Sequence, residues 1–211
     1  MRILLVTITA ALAIAPAFAQ HYEFGAFGGG SFYSSSTITN PKGNADAGFS
    51  SGFSGGGYIG GNMYDHIGGE LRYTYLHNDM TLKSGSQSAT FGGQAHALHY
   101  DFLVHATGRE SKIRPYVAAG GGMKFYQGTG DEIPFQPLSN IGLLTKTSQV
   151  GALVSVGAGV KVQFSSRIMF RIDIHDYLSP FPDKVIAPAL NSTTGGWLNN
   201  IVPTVGISFT Y

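Results

Sequence analysis

Only 12% of the 211 residues are charged, so the side chains that could do chemistry are few, and most of them share a parity. Glu70, Arg72, His99, Asp101, His105, Lys124, Lys161, Arg171, Asp173 and His175 all stand opposite an apolar set of residues spaced two apart. A metal centre needs several ligands converging on one side of an element. The chain has seven His and no Cys, but the spacing of His96 and His99 sends strand side chains to opposite faces, and His99 and His105 lie roughly 20 Å apart along a strand. No zinc site and no cofactor is expected from these. Nucleophilic catalysis could draw on Asp173 and His175 with serines from a neighbouring loop, although no local motif of a lipid-modifying enzyme accompanies them. The glycine triplets at 28–30, 55–57 and 120–122 could cradle phosphate only between a strand and a helix N-terminus; they fall inside alternating segments, where glycine relieves crowding. What remains is mutual neutralisation, with Arg72 and Arg171 paired to Glu70, Asp101 and Asp173 on one shared face, or else a polar path for ions along it.

The elements that must position these groups are strands. From Val150 to Phe164 the residues Val150, Ala152, Val154, Val156, Ala158, Val160, Val162 and Phe164 are apolar, while the alternate positions are small or polar except for Leu153. That is a period of two over a length well beyond the usual strand of about five or six residues. Ile168, Phe170, Ile172 and Ile174 repeat the pattern, as do Ile201, Pro203, Val205, Ile207, Phe209 and Tyr211. Eight such segments are predicted, at 22–33, 49–63, 67–76, 93–106, 113–126, 149–164, 167–177 and 199–211. Their connections alternate: 34–48, 77–92, 127–148 and 178–198 are long and rich in Ser, Thr, Asn, Gly and Pro, whereas 64–66, 107–112 and 165–166 are short.

Short turns at one end and long loops at the other are the pattern of a transmembrane barrel with outward-facing loops. The fold expected is therefore all-β, an eight-stranded antiparallel transmembrane β-barrel. Soluble sandwiches and ligand-carrying barrels turn their apolar face inward and expose charge. Here the charges share their face with most of the glycines, which suits a narrow lumen. Glu70, Arg72, Asp101, Arg171 and Asp173 then fall near mid-height in a bore just wide enough for side chains to fill. His99 and His175 lie on the same lumen face. Two aromatic girdles are expected, one from Tyr22, Phe24, Phe164 and Phe209, the other from Phe49, Phe53, Tyr73, Tyr75, Phe125, Tyr126 and Tyr177, with His96 at the outer polar interface.

Composition agrees. Soluble domains carry about 25% charge; this chain instead has 30 Gly, 14 Phe and 11 Tyr. A formal net charge of +1 gives no basic face for nucleic acid, and the lack of Cys excludes both a disulfide framework and a lipidated N-terminus. Met1-Arg2, the uncharged apolar run Ile3–Ala15, and Pro16 followed by Ala17-Phe18-Ala19 read as an export signal cleaved after Ala19. The run is too short for the roughly 20 residues of a spanning helix. Residues 1–19 are thus expected to be the signal peptide and 20–211 the barrel, placed in the cell outer membrane.

The segments Arg114–Gly122, Phe170–Tyr177 and Asn200–Tyr211 resemble the corresponding strands of small OmpA-like and OmpX-like outer-membrane barrels, over essentially the whole mature chain. That resemblance implies a terminal strand recognised by the barrel assembly machinery through Phe209 and Tyr211, with Tyr211 in a place where Phe is commoner. Full-length OmpA carries a peptidoglycan-binding domain after its barrel, and the sequence stops at Tyr211, so no peptidoglycan role is carried over. Three functions remain in view: a non-enzymatic barrel serving envelope structure or surface interaction, a narrow channel, and a lipid-modifying enzyme. The partners expected are outer-membrane lipids and lipopolysaccharide, the assembly machinery, and an extracellular partner met by the four long loops.

Overall fold

Alternation over 11 to 16 residues, with polar and small side chains on one face and Val, Ile, Leu and Phe on the other, can be satisfied only if the sheet closes on its polar side and meets lipid on the apolar one. A computed structural model of the chain, describing residues 22–131, 133 and 135–211, takes that form; the expected signal segment lies outside the described residues. Its strands in chain order are β1 (Tyr22–Tyr33), β2 (Ser36–Asn40), β3 (Gly43–Phe49), β4 (Gly52–Asn62), β5 (Ile67–His77), β6 (Met80–Ser84), β7 (Gln87–Phe91), β8 (Gly93–His105), β9 (Ile113–Gly128), β10 (Gly142–Leu144), β11 (Ser148–Gln163), β12 (Ile168–Pro180), β13 (Ile186–Pro188), β14 (Thr193–Thr194) and β15 (Trp197–Thr210). Eight of them close a barrel in the order β1-β15-β12-β11-β9-β8-β5-β4. All neighbours in it are antiparallel, and the seam is made by Phe24, which faces Phe209 on one side and Ile59 on the other.

The outer wall is apolar along its whole belt. Ile59, Phe102, Val117, Ile172 and Val205 are each more than half exposed, far too much apolar surface for a water-facing monomer and the natural face for acyl chains. The lumen side is lined by glycines and large polar groups in complementary places. A Cβ on Gly157 would lie 2.8 Å from His175 Nδ1, one on Gly159 would meet the Tyr116 hydroxyl, one on Gly122 would meet His99, and one on Gly25 would sit inside the Tyr58 ring. Each of these four bulky lumen side chains lies over a glycine of a neighbouring strand, so the charged face carries glycines as well.

The long connections differ from the loops expected of them. β14-β2-β3-β6-β7 form a five-stranded sheet, and β10 pairs with β13. This cap shares one hydrophobic core with the upper lumen: Ile38, Phe49, Met80, Leu82, Phe91, Leu144 and Ile186 from the cap pack with Leu76, Tyr126, Leu153, Tyr177 and Leu198 of the barrel. Three residues expected in the outer girdle are corrected by this. Phe49 belongs to the cap, and Tyr126 and Tyr177 point into the lumen, each nearly inaccessible, because they share parity with Lys124 and His175. The barrel strand expected from residue 49 begins instead at Gly52, and Leu153, the exception to alternation, is a core residue of the cap junction.

Candidate functional site

Lumen side chains stack in tiers. At the turn end, the Glu23 carboxylate accepts from Lys161 Nζ (2.5 Å), from the Tyr58 hydroxyl (2.9 Å) and from Ser208 Oγ (2.7 Å). Arg114 donates to Asn62 Oδ1, and His105 packs against Tyr116. In the adjoining turn the Arg109 backbone N–H donates to Asp65 (2.7 Å) and holds that carboxyl below its usual range.

The middle tier joins Glu70, Arg72, His99, Asp101, Arg171, Asp173 and His175 into one connected cluster. Arg171 forks onto Glu70 through both terminal nitrogens and reaches Asp173 through Nε. Arg72 donates to Asp173 Oδ1 at 3.1 Å and approaches Glu70 at 3.5 Å. Thr204 (2.7 Å) and Tyr116 (3.2 Å) donate to Asp173 as well. The two guanidiniums lie over rings, Arg72 3.9 Å from the Phe27 centroid and Arg171 4.5 Å and 4.8 Å from those of Tyr58 and Tyr116. His175 lies 3.6 Å from Asp173 and 3.5 Å from Asp101, and His99 is 3.0 Å from Asp101 and 3.2 Å from the Tyr177 hydroxyl. Two carboxylates face two guanidiniums with hydrogen bonds on nearly every lone pair, the condition under which buried ion pairs persist at all.

Two arrangements here could suggest chemistry. Ser155 Oγ lies 3.2 Å from His175 Nδ1 and 3.2 Å from Asp101 Oδ2, so the serine near His175 is a lumen residue of β11, where the sequence had pointed to loop serines. Ser155, His175 and Asp101 are wholly buried, and a nucleophile needs an approach to its substrate. Glu70, Asp101 and His175 also bring one ligand atom each within 4.8 Å of one another, a convergence from three strands that spacing within one strand could not show. Glu70, however, is already forked by Arg171 and neighboured by Arg72, and two guanidinium charges stand where a cation would have to be tolerated.

Above the cluster, Lys124 is buried with its Nζ lacking a hydrogen-bond partner among the described residues and facing the Tyr33 ring at 4.5 Å and the Tyr126 ring at 5.2 Å. Beyond it the lumen mixes apolar side chains with a buried hydrogen-bonded group of Ser31, Asn78 and Asn200 and with the Tyr126–Ser179 contact. Glu23, Tyr58, Tyr116, Ser155 and Thr204 were missed as participants; their parity, opposite the outward apolar set of each strand, was the signal that could have found them. On the outer wall, His96 is where it was expected, bonded to the Tyr73 hydroxyl at 2.7 Å, with Tyr75, His77 and Gln94 alongside.

No curated protein matches the chain. Among solved structures, Neisserial surface protein A is 12% identical, with 90% of this chain and 97% of that chain covered and a TM-score of 0.54. The outer membrane protein AlkL, solved in DMPC bilayers, is 13% identical, with 93% of each chain covered and a TM-score of 0.50. The N-terminal barrel of Pseudomonas aeruginosa OprF is 16% identical over 90% of this chain and 97% of that chain, with a TM-score of 0.48. At such identities the likeness is one of fold. The family model of the outer membrane protein β-barrel domain matches residues 5–209, and with a closed eight-stranded barrel bearing its apolar side outward, this chain belongs to the outer membrane protein β-barrel family as a small OmpA/OmpX-like barrel.

Proposed function

We propose that the protein is a non-enzymatic, non-conducting outer-membrane barrel that carries a folded β-sheet cap outside the cell as a surface for a partner. The observation that carries this reading is the single hydrophobic core running from the cap into the upper lumen. An ion moving along the bore would leave the paired charges of the middle tier and enter a segment packed with Leu76, Leu153, Leu198 and the Tyr126 and Tyr177 rings, whose few polar groups, Ser31, Asn78, Ser179 and Asn200, already hydrogen-bond to one another or to a tyrosine and leave its hydration unreplaced. Opening that segment means unpacking the cap. The burial of Ser155 and His175 supports the absence of catalysis, and the Tyr73–His96 and Tyr75–Gln94 contacts on the outer wall supply donors and acceptors at the height of lipopolysaccharide headgroups. In this reading the signal segment 1–19 directs export, Phe209 and Tyr211 engage the assembly machinery, and the cap is the part displayed. Planar-bilayer recording on the purified barrel tests it. A silent membrane is expected, and reproducible unitary steps from the wild-type protein would replace the reading with a channel.

A further inference from the structure

The turn end of the barrel holds a cavity of about 190 Å³ lined by two arginines, two glutamates and several hydroxyl and amide side chains. Arg109 and Arg114 both line it, and neither has a carboxylate within ion-pair distance among the described residues. Arg114 is 97% buried, as its 3% exposure gives. Its terminal nitrogens reach only the Asn62 amide oxygen and the Asp65 carbonyl, at 3.3 Å to 3.5 Å. The Nε atoms of Arg109 and Arg114 and the hydroxyl of Thr210, a third lining residue, are buried with no partner at all. Three of the eight such atoms in the described residues therefore surround one cavity. A buried donor without a partner marks a side chain short of its acceptor.

Two carboxylates, Glu23 and Glu110, line the same cavity, and neither is within ion-pair distance of Arg109 or Arg114. Glu23 is taken by Lys161, Tyr58 and Ser208, Asp65 is held by the Arg109 backbone N–H, and Glu110 sits exposed on the rim. Hydroxyls of Ser111, Ser165 and Ser166 complete the wall. Two guanidiniums and several hydroxyls around a space this size match the oxygens of one phosphate group, since an arginine fork and short hydroxyl donors are the usual way of holding such an anion.

We infer that the turn-end mouth of the barrel is a binding site for a phosphate group, with Arg114 as its buried anchor and Arg109 as its rim-side ligand. The inference is independent of the cap and of whether the lumen conducts. The phosphate can come from solution or from a phospholipid headgroup of the adjoining leaflet, and both present the same oxygens to the site.

The test uses the full barrel in phosphate-free non-ionic detergent, with the arginine Nε–H resonances followed by NMR during three titrations: inorganic phosphate, a soluble short-chain phosphatidic acid, and sodium acetate at equal ionic strength. Saturable shifts of the Arg109 and Arg114 signals are expected with phosphate or phosphatidic acid, and whichever binds tighter names the source. Arg109→Gln, a change in a half-buried turn, should weaken binding at least about tenfold, the scale of one charged hydrogen bond, while the barrel keeps its heat-modifiable gel mobility. Arg114→Gln should abolish binding, but it removes support from Asn62 and can lower folding yield, so Arg109→Gln is the deciding variant. Equal responses to acetate and phosphate, no saturable shift with either phosphate probe, or unchanged affinity in Arg109→Gln would each overturn the site.

Discussion

Arg171 is held by a fork onto Glu70, by Asp173, and by two tyrosine rings, and it is buried beyond the reach of water. Arg171→Ala leaves Glu70 with only the longer contact to Arg72, and removing one member of a buried pair costs about 3–5 kcal/mol. The variant barrel should therefore lose its folded gel mobility at a clearly lower temperature, whereas Lys42→Ala, on an exposed cap turn, should leave the transition where it was. The double change Glu70→Leu with Arg171→Met should recover much of the loss, because it removes the orphaned charge along with its partner. Equal destabilisation by the single and the double variant would mean that the pair's worth is packing and not charge.

Strands succeed here through complementarity of neighbours. Gly157 makes room for the His175 ring, whereas a Cβ on Gly28, on the lipid face, would meet its nearest neighbours only at 3.8 Å and 3.9 Å. Gly157→Ala is expected to cost about 1–3 kcal/mol by overpacking, and Gly28→Ala to be nearly neutral, both read from urea-induced unfolding in lipid vesicles. If the two variants unfold alike, the lumen is looser than its glycine pattern implies. The last strand carries a second expectation. β15 closes the barrel against β1, with the Tyr211 N–H donating to the Tyr22 carbonyl beside the Phe24–Phe209 pair. Tyr211→Asp places a charge at the closing edge and should leave an exported but unassembled chain in the periplasm, detected by cell fractionation. Wild-type levels in the membrane fraction would show that the terminal aromatic is not what the machinery reads.

At the scale of the molecule, the barrel and its cap are one folding unit, since their shared core offers no apolar boundary between them. Leu82 is fully buried in the cap sheet, and Leu82→Ala should cost about 2–5 kcal/mol drawn mainly from the cap. On intact cells, added protease should leave the wild-type cap whole and cut the variant within residues 34–48, 77–92, 127–148 or 178–198, while the barrel strands stay protected by the membrane. Rapid cutting of the wild type would mean that the connections are mobile loops after all, and would remove the basis for a closed lumen.

Glu70 and Arg171 are 101 residues apart in the chain, and nothing in either segment names the other. Parity did place both on the inner face, and alternation, strand number and the rhythm of short and long connections were legible for the same reason: side-chain direction in a strand is a local property with a period of two. Partner choice depends on the stagger between strands around the closed barrel, which brings β5, β8 and β12 to one height and so creates the Glu70–Arg171 fork and the Asp101–His175 approach. Tyr126 and Tyr177 stand near strand ends, where a girdle is expected, but their parity with Lys124 and His175 turns them into the lumen. The cap was partly written in the alternations Ala45-Ala47-Phe49, Met80-Leu82 and Ala89-Phe91, but these are short, small-residued and set among Ser, Thr and Gly. Five residues of alternation cannot bury a face alone; they become strands only when other connections arrive to cover them, and that meeting is decided by the barrel which holds their ends together.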